Sequence, residues 1–160
     1  MSTRPPSVVA LCLWLFTAAV GAASTPEVVG VVKVASGPVF IERDGERVAV
    51  AVGTRVLSSD RIVTGEDGSV GIAFRDNSLL SSGPGSVLEI ERFVFDSTTY
   101  EGAFETSLQR GTLSVVSGKI AKQTPGAMRV RTPATVLAVR GTEFAVKADP
   151  GPTCQGPRDE

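Results

Sequence analysis

The sequence contains no histidine. That one absence removes the usual general base and the commonest metal ligand together. A Ser-His-Asp triad is impossible, and no Gly-x-Ser-x-Gly elbow occurs among the many serines. There are two cysteines, Cys12 and Cys154, too few for the Cys and His sets of a zinc site. No phosphate-cradling loop is present either, because "SGPGSV" (82–87) lacks the Gly-Lys-Ser/Thr ending. Aromatics are scarce, with one tryptophan and one tyrosine. No segment of ten or more residues has a persuasive apolar period of 3.6. The expectation is a protein without metal or cofactor and without catalytic machinery.

Carboxylates are the remaining chemistry. Glu66, Asp67, Asp76, Glu89, Glu91 and Glu143 are the candidates for a glycosidase pair, but singly placed acids of this kind read better as turn residues and solvated strand faces. "GEDGS" (65–69) lacks the alternating ligands and closing glutamate of a calcium loop, so it reads as a turn.

What is present begins with a leader. Arg4 precedes an apolar run from Val8 to Val20, and small residues follow at Gly21-Ala22-Ala23. This is the layout of a secretory signal peptide spanning 1–23, and the run is shorter than the ~20 residues a bilayer span requires. Cys12 follows the bulky Leu11 inside the apolar run, so it reads as a leader residue and not as a lipid anchor. Cleavage near Ala23 removes Arg4 and takes the formal net charge from −1 one unit lower, which offers no net attraction for nucleic acid. It also leaves Cys154 alone, so no intrachain disulfide can form. The expected location is the periplasm or the medium, with no stable membrane span after cleavage.

From 24 to 148 the chain reads as one all-β domain, with short strands separated by Gly, Asp and Asn corners. Asp44-Gly45 supplies the positive φ values of a tight hairpin between "VFIER" and "ERVAV", in which Val39, Ile41 and then Val48, Val50 alternate with polar neighbours. Asp67-Gly68, Asp76-Asn77 and Pro84-Gly85 are further turns. Val70, Ile72 and Phe74 share a face. Leu88 and Ile90 are followed by Phe93 and Phe95 out of phase, which predicts a bulge near Glu91-Arg92. Ala103 to Gln109 is the one doubtful helical stretch. A stacked β-roll and a pair of packed sheets suit this spacing equally well. Residues 149–160 hold three prolines and no large apolar side chain, the composition of a disordered tail.

The stretch "RVRTPATVLAVRGTEFAVK" (129–147) alternates as a strand but stops at Arg140-Gly141-Thr142. Gly141 reads as a corner where no side chain fits, with Thr142 returning to strand and Phe144 and Val146 on one face. Arg140 either pairs with a carboxylate at the edge of the core or holds an anionic ligand. A lone arginine with no basic neighbour favours the structural corner.

Val-Arg-Gly-Thr-x-Phe (139–144), preceded by "VRTPA" (130–134), resembles the signature of the FecR-domain family. The likeness extends through "GPV" (37–39), residues 52–95 and "LQRGTLSVVSGKI" (108–120). It implies an all-β extracytoplasmic domain. The best-known members are periplasmic parts of regulators that sense a loaded outer-membrane receptor and control a sigma factor, with a cytoplasmic helical region and one transmembrane helix. Only three residues precede Arg4 here, so the expectation is the stand-alone exported form. Members commonly continue past the Gly-Thr-x-Phe strand with a further hairpin, where this chain has "ADPGPTCQGPRDE". Either the domain closes earlier, or the chain is truncated relative to its relatives; truncation would leave an exposed strand edge able to pair with another chain, including a second copy.

The expected function is protein–protein contact in the envelope of a Gram-negative bacterium, in envelope signalling, with an envelope protein as partner. The alternative is a glycan- or peptidoglycan-binding module. With Trp14 in the leader, only Tyr100 and the phenylalanines remain for stacking on sugars.

Overall fold

The computed structural model describes residues 27–140 and 143–149. The leader, the Gly141-Thr142 pair and the tail from Pro150 lie outside the described residues. The elements in chain order are β1 (Val28–Ser36), β2 (Val39–Arg43), β3 (Glu46–Ala49), β4 (Arg55–Leu57), β5 (Arg61–Thr64) and β6 (Ser69–Phe74). They continue with β7 (Leu79–Ser82), β8 (Val87–Phe95), β9 (Gly102–Val116), α1 (Lys119–Gln123), β10 (Met128–Arg131), β11 (Val136–Ala138) and β12 (Glu143–Ala148). Strand accounts for 60% of the described residues and helix for 4%, so the all-β expectation holds.

The main path of the sheet runs β3-β2-β5-β8-β9-β7-β6-β1-β4, with β10 and β12 also on β9, and β11 on β10. Among the described residues only the β10–β9 pairing is parallel. The 15 residues of β9 serve both halves of this sheet. Its first part pairs with β8 through Arg110, and its last part, from Gly111 on, pairs with β12 and β7. The sheet curls there, so the halves pack face to face. Phe74 of β6 meets Phe104 of β9 at 4.6 Å between ring centroids and Phe93 of β8 at 5.7 Å. Roll and packed sheets therefore meet in one object, a single sheet folded over its own core.

Period-two alternation builds that core. Val70, Ile72 and Phe74 point inward from β6, and Leu88, Ile90 and Phe93 from β8. Each such side chain contributes about 1.5–3 kcal/mol on burial. The phase shift falls where the sequence places it. Ile90 pairs with Thr106 and Arg92 with Glu105, leaving Glu91 as the extra residue of a bulge.

A second bulge lies in β9. Leu88 pairs with Leu108 but Val87 with Arg110, so Gln109 is extra, and Gly111 follows at φ +94°. The inward set accordingly changes from Phe104, Thr106 and Leu108 to Leu113 and Val115. A Cβ on Gly111 would overlap the Ser86 hydroxyl and sit 2.5 Å from Ser86 Cα.

The turns hold these strands in register. Asp44 at φ 50° and Gly45 at φ 82° join β2 to β3, the two-residue geometry that matches strand twist. Gly68 N–H donates to the Gly65 carbonyl at 3.0 Å, closing the turn that contains Asp67. Asn77 takes φ 66°, and the buried Asp76 carboxylate accepts from Ser78 N–H at 3.0 Å and Ser78 Oγ at 2.7 Å. Ser78 Oγ accepts in turn from Gly118 N–H at 2.9 Å. Lys119 N–H donates to the Asp76 carbonyl at 2.7 Å, fixing the start of α1 and seating Ile120 in the core.

The structure settles two points that alternation leaves open. Val48 is 49% exposed, because β3 is an edge strand with nothing packed over either face. Ala103 to Gln109 is not helix but part of β9. The one helix among the described residues, five residues long, is too short to show a period.

Candidate functional site

The two outer faces differ in charge. Across the half built on β2, β5 and β8, the register aligns Arg47, Glu42, Arg61 and Glu89 in one alternating row. Nearby, Arg131 reaches Glu91 at 3.3 Å and Arg129 reaches Glu105 at 3.7 Å. This face neutralises itself. The other half shows a nearly uncharged outer surface. Val34, Gly71, Ser81, Ser114 and Ala145 form one cross-strand row. Ala73, Leu79, Val116 and Glu143 form the next.

The two halves are open at the end where β11 and β12 run. Thr132 and Thr135 close the β10–β11 turn around Pro133, with Thr132 N–H donating to the Thr135 carbonyl at 2.8 Å and Thr135 N–H to Thr132 Oγ1 at 3.1 Å. Val139 N–H donates to the Met128 carbonyl at 2.9 Å. Beyond it the chain changes partner: β11 pairs with β10, whereas β12 pairs with β9. The break in the apolar ladder at 140–142 coincides with this exchange. The backbone of Gly141 and Thr142 is outside the described residues, and Arg140 is exposed with no ion pair among the described residues.

A cavity of about 330 Å³ opens at this end. Leu137, Val139, Phe144 and Val146 give it an apolar wall, and Arg140 and Glu143 stand at its polar rim. Phe144 and Val146 face inward opposite Val115 and Leu113, yet both are only partly buried. Glu143, Ala145 and Lys147 point outward and are exposed. Among the described residues β12 has no strand on its second edge. This arrangement offers main-chain donors and acceptors beside an apolar slot, which is what an added strand requires.

Of the predicted motif, Arg140 and Phe144 line this cavity. The turn residues Asp44, Gly45, Asp67, Gly68, Asp76 and Asn77 are placed elsewhere and serve the register. Sequence reading missed Leu137, Val139 and Val146 as a wall; their alternation was visible, but not that half their face stays uncovered. It also missed the ion pair of Arg43 with the buried Asp60, both bonds 2.7 Å long. That hydrogen bonding raises the Arg43 pKa above its ordinary value.

The exposed aromatic faces are occupied by cations. Lys119 Nζ lies 4.2 Å from the Tyr100 ring centroid and the Arg47 guanidinium 4.0 Å from that of Phe40. Neither ring is free on that side for a sugar. Among the described residues no helix is long and apolar enough to cross a membrane.

No curated protein and no solved structure matches the chain. The family model described as "FecR protein" matches residues 60–154, from the buried Asp60 through β12. Strands β1 to β4 precede the match but complete the same core. With more than half its length matched, this chain belongs to the FecR family.

Proposed function

We propose that the protein is an exported, non-enzymatic domain of the bacterial envelope, located in the periplasm or released, that works by binding other proteins in envelope signalling. Family membership supports the signalling role. The observation that carries the contact mode is the open end at β11 and β12, where half-covered Phe144 and Val146 adjoin a strand edge that is unpaired among the described residues. Such an edge takes affinity from main-chain hydrogen bonds and specificity from the slot beside it. The self-neutralised face around Arg61 and Glu89 is a poor competitor for that role.

Site-specific photo-crosslinking in the envelope of the native bacterium tests this. A photoreactive residue at Ala145 or Lys147 is expected to give protein adducts, and one at Arg61 none. Adducts confined to Arg61, or co-sedimentation with peptidoglycan in place of protein adducts, would overturn the proposal in favour of the other face or the glycan reading.

A further inference from the structure

The edge of β12 that carries no strand among the described residues is self-complementary. Its outward residues are Glu143, Ala145 and Lys147, and its inward ones Phe144 and Val146. An antiparallel pairing of β12 with a second β12, centred on Ala145, sets Glu143 opposite Lys147 of the second copy. By symmetry Lys147 then meets the second copy's Glu143. The same register sets Phe144 opposite Val146 and Ala145 opposite itself. Opposite charges and an aromatic–β-branched pair are the favourable cross-strand combinations. A two-fold axis satisfies them all twice, as an isologous interface demands.

We infer that the partner at this edge is a second copy of the chain, joined β12 to β12 so that two half-sheets become one continuous sheet. This rests on the reading of the β12 edge as a contact site. Three features favour a copy over an unrelated strand. Glu143 has no ion-pair partner among the described residues, since its neighbour on β9 is Val116. Among the described residues Lys147 has only Asp149 at 3.5 Å, with both side chains at least 70% exposed, a pair too solvated to hold it. The remaining edges are also less suited. The β4 and β11 strands have three residues each and β3 four, whereas β12 has six without proline or bulge.

A lone lysine on an edge ordinarily deters pairing with arbitrary strands. Here it deters every register except the one that brings it to Glu143, so the same side chain selects the partner. On the inward side, the facing Phe144 and Val146 side chains extend cover over the apolar slot beside β11.

The test uses the mature chain carrying Cys154→Ser, so that no native thiol competes. Ala145→Cys is expected to form a dimer under mild oxidation, since directly opposed strand positions meet the Cα separation a disulfide needs. By sedimentation equilibrium, Glu143→Lys and Lys147→Glu should each weaken self-association about tenfold or more, because two like-charge pairs replace two favourable ones. The double variant Glu143→Lys/Lys147→Glu should restore it, and an equimolar mixture of the two single variants should form the hybrid dimer. Circular dichroism of each exposed-site variant should match the parent, separating lost association from lost folding. A chain that stays monomeric while Ala145 still crosslinks to a different envelope protein overturns the self-pairing and leaves the contact site standing. Monomer with no adduct at all overturns both. Failure of the charge-swapped double variant to recover overturns the proposed register.

Discussion

Arg43 holds the carboxylate of Asp60 through two bonds, Nε to Oδ1 and Nη2 to Oδ2, each 2.7 Å long. Asp60 is fully buried and also accepts from Leu57 N–H at 2.8 Å, so this fork pins the β4–β5 turn to the β2–β3 hairpin. Arg43→Ala leaves a buried carboxylate with one donor and should cost about 2–4 kcal/mol. The arginine is partly solvated, which keeps the figure below that of a wholly buried pair. Urea unfolding measures the cost, and a loss under 1 kcal/mol would show that water replaces the guanidinium.

Gly111 should tolerate no side chain. Alanine there would take φ +94° against its preference and drive its Cβ into Ser86. We expect a loss of about 3 kcal/mol or more for Gly111→Ala. Thermal unfolding checks it, with Gly45→Ala as control, since that glycine has open space around its Cβ position and leaves only the backbone strain.

Asp96 titrates below the ordinary carboxylate range because Thr98 and Thr99 N–H donate to it, at 2.7 and 3.2 Å. A depressed folded-state pKa stabilises the fold above the unfolded value, near 3.8, and that contribution disappears as pH falls through the folded value. Carboxyl chemical shifts should therefore place the Asp96 midpoint under 3.8. The stability difference between parent and Asp96→Ala should be constant at neutral pH and shrink in acid. A midpoint at or above the ordinary value would mean the turn opens in solution.

Arg140→Ala should melt within about 0.5 kcal/mol of the parent, as exposed substitutions do, since Arg140 is exposed and has no ion pair among the described residues. Differential scanning calorimetry decides this. A loss above 1 kcal/mol would return the arginine to the core-edge pairing that its place beside Gly141 first suggests.

Much of the fold is readable where the information is local. Asp44-Gly45 names its own hairpin, and the change of phase between Ile90 and Phe93 announces the bulge at Glu91. The second bulge is hidden because Gln109, Arg110, Gly111 and Thr112 are all polar or small. No apolar marker changes parity there, and the segment looks like a turn between two strands when it is the middle of one. The parallel pairing of β10 with β9 leaves no trace either, since it is made by main-chain groups of strands far apart in sequence, with no tight turn between them. Val48 shows the remaining limit: alternation tells which residues share a face, not whether anything covers it. The same limit concealed the slot beside Phe144, whose apolar lining is legible but whose open roof is a matter of tertiary placement.

The double membership of β9 also governs how the molecule can open. Leu108 and Leu113 lie on one strand but belong to different halves of the sheet, so neither half can detach without tearing the backbone ladder of the other. Partial opening is confined to rims such as β3 and β11. Amide protons along the centre of β9 can then exchange with solvent only when the entire domain unfolds, and the two halves behave as a single cooperative unit.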